Sequence, residues 1–82
     1  MKLPRDLEGI KLAALLHGLG YEITRQTGGH IRLTCSKEGR QHHITVPAHR
    51  ELRVGTLHSI LREVAAFLHT EQAQLLEQLF GP

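Results

Sequence analysis

Between residues 21 and 46 the chain alternates apolar and polar positions three times over. Tyr21 and Ile23 stand against Glu22, Thr24 and Gln26. Ile31, Leu33 and Cys35 stand against His30, Arg32 and Thr34, and Ile44 and Val46 against His43 and Thr45. A period of two is that of a strand with one buried face, so strands are predicted over residues 21–26, 30–36 and 41–46. Thr27-Gly28-Gly29 supplies a hairpin turn, and Ser36-Lys37-Glu38-Gly39-Arg40 a second, polar turn. Pro47 has no N–H for a ladder and ends the third strand.

The flanking segments change period. Leu12, Leu15, Leu16 and Leu19 fall at i, i+3, i+4 and i+7, which predicts a helix over roughly residues 8 to 18 with one apolar stripe. Asp6 is its expected cap or first-turn acid, and Gly18 and Gly20 end it. Leu57, Ile60, Leu61, Val64 and Leu68 repeat the helical spacing, with Thr56 as the expected N-cap. Thr70 is placed to cap a short final helix whose apolar side is Leu75, Leu76, Leu79 and Phe80. The predicted order is α-β-β-β-α with a small extra helix, an α+β domain spanning residues 1–82. A three-stranded antiparallel sheet buries one face under helices and leaves the other in water. The alternation assigns Glu22, Thr24, Gln26, His30, Arg32, Thr34, His43 and Thr45 to that open face.

Composition narrows the function classes. With 82 residues and 40% hydrophobic positions, the chain has the makings of one modest core and is not of the disordered class. No apolar run approaches the roughly 20 residues of a membrane helix, and the first residues carry no signal-like apolar stretch, so a cytoplasmic protein is expected. Cys35 is the single cysteine, which excludes an internal disulfide and a cysteine zinc site. The net charge of +2 and pI of about 9.1 permit a polyanionic partner without requiring one. Aromatic residues are scarce, and Tyr21, Phe67 and Phe80 are all expected to be buried, so base stacking is not the expected mode of recognition.

Seven histidines are many for this length: His17, His30, His42, His43, His49, His58 and His69. His42 and His43 are neighbours on one strand, so their side chains diverge, and no histidine or cysteine set has metal-ligand spacing. No metal or other cofactor is expected. His30 has the most telling surroundings, Arg25-Gln26-Thr27-Gly28-Gly29-His30-Ile31-Arg32-Leu33. It follows a glycine turn that lets a foreign backbone approach, with arginines on both sides. An imidazole exchanges protons near neutral pH, so the pattern suggests general acid/base chemistry on a polyanion, RNA above all. Arg32 is the nearest phosphate partner, and Arg25, Lys37 and Arg40 are candidates to hold a nucleic-acid backbone. His43 lies on the same face and is the candidate second proton-transfer group. His42 should point toward the helices or the sheet edge. His49, in the loop after Pro47, is expected to orient that loop or to touch RNA. Spacing alone favours a plainer reading of His30, a surface histidine at a hairpin end.

A resemblance reverses that order. Gly18-Leu19-Gly20-Tyr21-Glu22, Arg25-Gln26-Thr27-Gly28-Gly29-His30-Ile31, Ile44-Thr45-Val46-Pro47-Ala48-His49 and Val54-Gly55-Thr56-Leu57-His58-Ser59-Ile60-Leu61 resemble, in the same order, segments of the HicA family of small RNA-cleaving toxins, which includes the YcfA-type proteins. The resemblance implies a double-stranded-RNA-binding-domain-like fold and a metal-independent endoribonuclease, an mRNA interferase. It also implies a HicB-type antitoxin as partner. It places the catalytic histidine at His30, and the reading of the turn and the open face adds expected RNA contacts at Gly28, Gly29, Arg32, Arg25 and His43. The family usually shows Gly-Ser-His where this chain has Gly28-Gly29-His30. The alternative is a non-catalytic RNA-binding or partner-binding module on the same fold. The final helix is a candidate contact for an antitoxin or for a second copy in a homodimer.

Overall fold

Each alternating segment forms a strand and each 3.6-period segment a helix. The computed structural model describes residues 3–81. Its elements are α1 (Gly9–His17), β1 (Glu22–Thr27), β2 (His30–Lys37), β3 (Arg40–Pro47), α2 (Val54–Phe67) and α3 (Gln72–Phe80). The strands make one antiparallel sheet in the order β1-β2-β3. Helix α1 packs against all three strands, α2 against β3, and α3 against α2. The α+β architecture read from the sequence is the one observed.

The core lies between the sheet and the helices. Ile31, Leu33 and Cys35 of β2 and Ile44 and Val46 of β3 are buried with Leu12 and Leu16 of α1, Leu57, Leu61 and Val64 of α2, and Leu75 of α3. The cross-strand pairs Ile31–Val46 and Leu33–Ile44 face this core, and Arg32–Thr45 and Thr34–His43 face away from it. The alternation therefore places the residues of β2 and β3 on the expected faces.

On β1 it holds for only half the strand. Ile23 pairs with Leu33, but Arg25 pairs with Arg32, leaving Thr24 as an extra residue in a β-bulge. Thr24 Oγ1 lies 2.9 Å from Thr34 Oγ1. Beyond the bulge the phase is reversed. Arg25 and Thr27 join the open face opposite Arg32 and His30, and Gln26 pairs with Ile31 on the helix-covered side. The sequence expectation for Gln26 is thus corrected. Ile23 is on the predicted side, but at the sheet edge it remains 52% exposed.

The helix starts also differ from expectation. Asp6 does not cap α1; the N-cap is Glu8, without a side-chain hydrogen bond. The loop after β3 satisfies the first amides instead: Gly9 N–H donates to the Arg50 carbonyl (3.3 Å) and Ile10 N–H to that of Ala48 (2.9 Å). Backbone carbonyls thus replace a side-chain cap. Helix α2 begins at Val54, two residues before Thr56, because Leu57 N–H donates to the Arg53 carbonyl at 2.9 Å. The N-cap of α3 is Glu71; Thr70 Oγ1 donates to Gln74 Oε1 at 3.2 Å instead.

His42 turns inward, as expected. Its Nδ1 lies 2.7 Å from the Tyr21 hydroxyl and its Nε2 3.4 Å from Glu63 Oε1. Both contacts are met when Nε2 carries the proton and the phenol donates to Nδ1. Its ring stacks on Phe67 with centroids 5.3 Å apart. Burial raises the Tyr21 pKa well above its ordinary 10.0, and negative charge on Cys35 and Glu63 acts in the same direction. A folded state that holds a proton more tightly than the unfolded chain loses stability as pH rises past the unfolded pKa. Stability is therefore expected to fall above about pH 10, the ordinary phenol value. Tyr21→Phe is expected to cost about 1 kcal/mol at neutral pH, through the lost bond to His42, and to flatten that alkaline decline. Urea midpoints of both proteins at pH 8 and pH 10.5 check this, and parallel declines would contradict it.

Candidate active site

The first hairpin sets the site. Gly28 takes the left-handed conformation, φ +56°, which costs glycine nothing and an L side chain considerably more. The turn returns the chain so that His30, the first residue of β2, pairs with Thr27 on one side and Pro47 on the other. His30 is exposed at the end of the open face. Beside it, the Cβ positions of both Gly28 and Gly29 have no atom within 4 Å. The backbone here is bare and approachable.

The loop after β3 is clamped against this turn. Ala48 is buried. Its N–H donates to the Gly29 carbonyl at 2.5 Å, and its own carbonyl accepts from Ile10 N–H at 2.9 Å. On the far side Leu52 N–H donates to the Leu7 carbonyl at 2.9 Å. Gly9 packs directly on this loop, where a Cβ would lie 1.7 Å from the Pro47 carbonyl oxygen. Only hydrogen lets the start of α1 come so close.

His30 stands between two shallow depressions. One, of about 200 Å³, lies on the open face and is lined by Arg25, Thr27, His30, Arg32 and Thr45. The other, of about 300 Å³, lies past the strand ends and is lined by Gly29, His30, Pro47, His49 and Arg50. His30 thus has Arg25 and Arg32 on one side and His49 and Arg50 on the other. Guanidiniums are permanently charged and bind phosphate in a planar fork, and an imidazole gives or takes a proton.

Of the residues singled out in the sequence, Gly28, Gly29, His30, Arg25 and Arg32 come together. Arg25 does so because of the bulge, which the alternation does not reveal. His43 is on the open face, hydrogen-bonded through Nδ1 to Thr34 Oγ1 at 2.9 Å. Its partner strand position is Thr34, four residues along β2 from His30. At about 3.3 Å per residue that is roughly 13 Å away, so the two histidines do not share a site. Lys37 and Arg40 pair at the opposite end of the β2–β3 hairpin. Arg40 is engaged there, donating to the Phe67 carbonyl (3.3 Å) and lying 2.9 Å from His69 Nε2, with its guanidinium 5.0 Å above the Phe67 ring. His49, expected from the sequence to orient its loop or to touch RNA, lines the second depression with His30, and Arg50 beside it is the residue that sequence reasoning missed. Their signal is the Pro47-Ala48-His49 run, since Pro47 is paired to His30. Among the described residues, no three His, Cys, Asp or Glu side chains are grouped to hold a metal ion.

Residues 9–65 match the family described as the HicA toxin of bacterial toxin–antitoxin systems. The chain belongs to the HicA toxin family. The match runs from Gly9, on the Pro47 carbonyl, through the hairpin, His30 and the clamped loop into α2, so it spans every residue of the site. Comparison with curated proteins and with solved structures returned no match. Family membership makes the chain the toxin of such a pair and implies an antitoxin as its partner. No helix among the described residues is long and apolar enough to cross a membrane.

Proposed function

We propose that the chain is a metal-independent endoribonuclease that cuts mRNA and is neutralised by a HicB-type antitoxin. One observation carries this reading: His30 is exposed at a bare glycine turn, with Arg25 and Arg32 on the same depression. RNA contains its own nucleophile. A base takes the proton of the 2′-hydroxyl, the oxygen attacks the adjacent phosphorus, and an acid protonates the departing 5′ oxygen. His30 moves one of these protons. Arg25 and Arg32 hold the phosphate and offset the charge gathering on it. The bare backbone at Gly28 and Gly29 lets the strand come close enough for that contact. The antitoxin acts by covering the face around His30 and Arg32.

The test is incubation of the purified protein with a long mRNA in excess EDTA, followed by analysis of the fragment ends. Fragments with 2′,3′-cyclic phosphate and 5′-hydroxyl ends are expected. An mRNA left intact by folded protein, or cutting that stops when EDTA is added, would sink the reading.

A further inference from the structure

We propose that His49 is the second proton-transfer group of the cleavage reaction, acting with His30 on the same phosphate. This rests on the ribonuclease reading above. In-line attack places the entering 2′ oxygen and the leaving 5′ oxygen on opposite sides of the phosphorus. A proton-transfer group must come within about 3 Å of the oxygen it serves, so one imidazole in one position does not serve both. The second group has to stand across a phosphate-sized gap from His30.

The surroundings of His30 offer one titratable candidate. On the open-face side the lining is Arg25, Thr27, Arg32 and Thr45. Arginine does not deprotonate in proteins, and a threonine hydroxyl does not titrate near neutral pH. His43 is roughly 13 Å along the sheet at the ordinary strand rise. On the other side His49 lines the same depression as His30, and the charged and titratable groups of that lining are His30, His49 and Arg50. No carboxylate is among them. Among the described residues no side-chain hydrogen bond engages either imidazole, so both are available to substrate.

The backbone under His49 is fixed rather than loose. Its neighbour Ala48 is buried and bonded through both N–H and carbonyl, to the hairpin turn and to α1. Arg50 lends its carbonyl to Gly9 N–H and lines the same depression. The two histidines thus come from two elements tied together through the Gly29 carbonyl.

The step balances between them. The neutral imidazole accepts the 2′-hydroxyl proton as the bond from the 2′ oxygen to phosphorus forms. The bond from phosphorus to the 5′ oxygen breaks, and the charged imidazole gives that oxygen its proton. The products are a 2′,3′-cyclic phosphate and a 5′-hydroxyl, with the two imidazoles left in exchanged protonation states.

The test uses the full chain, His30→Ala and His49→Ala, and a short RNA spanning one mapped cut site. A second RNA carries sulfur in place of the bridging 5′ oxygen at that site, because a thiolate leaves without an acid. With the natural linkage His49→Ala is expected to cut about 10² to 10⁴ times more slowly, the usual worth of one proton-transfer group. The parent's bell-shaped pH profile is expected to lose one limb. With the sulfur linkage one of the two variants, whichever lacks the acid, is expected to recover most of the parent's rate. A parent that cuts beside a His49→Ala variant within threefold of it overturns the proposal and leaves the ribonuclease reading standing. A slow variant that keeps both pH limbs and is rescued no differently from His30→Ala makes His49 a positioning residue and also overturns it. A parent that does not cut overturns both.

Discussion

His30→Ala is expected to reduce RNA cleavage by at least about 10³-fold, near the upper part of the range for losing one proton-transfer group. The same change should barely affect folding. His30 is exposed and no side-chain hydrogen bond depends on it among the described residues, and substitutions at such positions usually stay within about 0.5 kcal/mol. RNA binding should survive as well, because Arg25, Arg32 and Arg50 remain around the two depressions, and phosphate neutralisation supplies most of the affinity for a polyanion. The expected combination is a lost rate, an unchanged melting temperature and a dissociation constant within a few-fold of the parent's. Initial rates, a thermal scan and a filter-binding titration at one fixed salt concentration measure the three. Residual cutting above a tenth of the parent's rate would remove His30 from the chemistry. Lost binding with a normal rate at saturating RNA would make it a binding residue instead.

The position of His30 was legible because two simple periods agree there. Alternation set its face, and the Gly28-Gly29 pair set it at a strand end. What alternation does not contain is distance along the strand. It put His43 and His30 on one face correctly, yet said nothing of the four residues between their ladder positions. It also assumes an unbroken strand. Thr24 has the polar side chain the pattern asks for, but the bulge there hands the open face to Arg25 and takes it from Gln26. Nothing in the local residue types marks that shift, because Arg25 and Gln26 suit water equally well on an exposed edge strand. Arg40 shows the opposite limit. As a charge in a polar turn it reads as a free phosphate contact, and only the packing of α2 brings the Phe67 ring and carbonyl under its guanidinium. His49 reads from the sequence as a loop residue that orients its turn or touches RNA, but a loop has no periodicity to place it beside His30; that position follows from the pairing of Pro47 with His30 and from the bonds through Ala48.

Gly9→Ala is expected to damage the fold severely, and it should also slow cleavage although Gly9 carries no chemistry. In a helix alanine is ordinarily preferred to glycine by up to about 1 kcal/mol, so propensity predicts a gain. Packing predicts the reverse and wins. The added carbon would sit 1.7 Å from the Pro47 carbonyl oxygen and 2.7 Å from its carbon, and these are backbone atoms in a loop bonded at Ala48, Arg50 and Leu52. Either α1 backs away from the sheet, opening the core around Leu12 and Leu16, or the loop moves. Overpacking of this kind costs typically 1–3 kcal/mol and at times more, and about 3 kcal/mol is expected here. For a domain of this size that lowers the melting temperature by roughly 12–24 °C. The loop that would move carries His49 and Arg50, and Pro47 is the ladder partner of His30. Displacement of about 1 Å at a reacting centre costs on the order of 10²-fold in rate. The loss of activity should therefore persist at temperatures where the variant is fully folded. Thermal scans of parent and variant, with cleavage assayed well below both midpoints, separate the two effects. A variant that melts with the parent would mean that α1 does not press on Pro47, and one that melts early yet cuts normally when folded would uncouple that contact from the site.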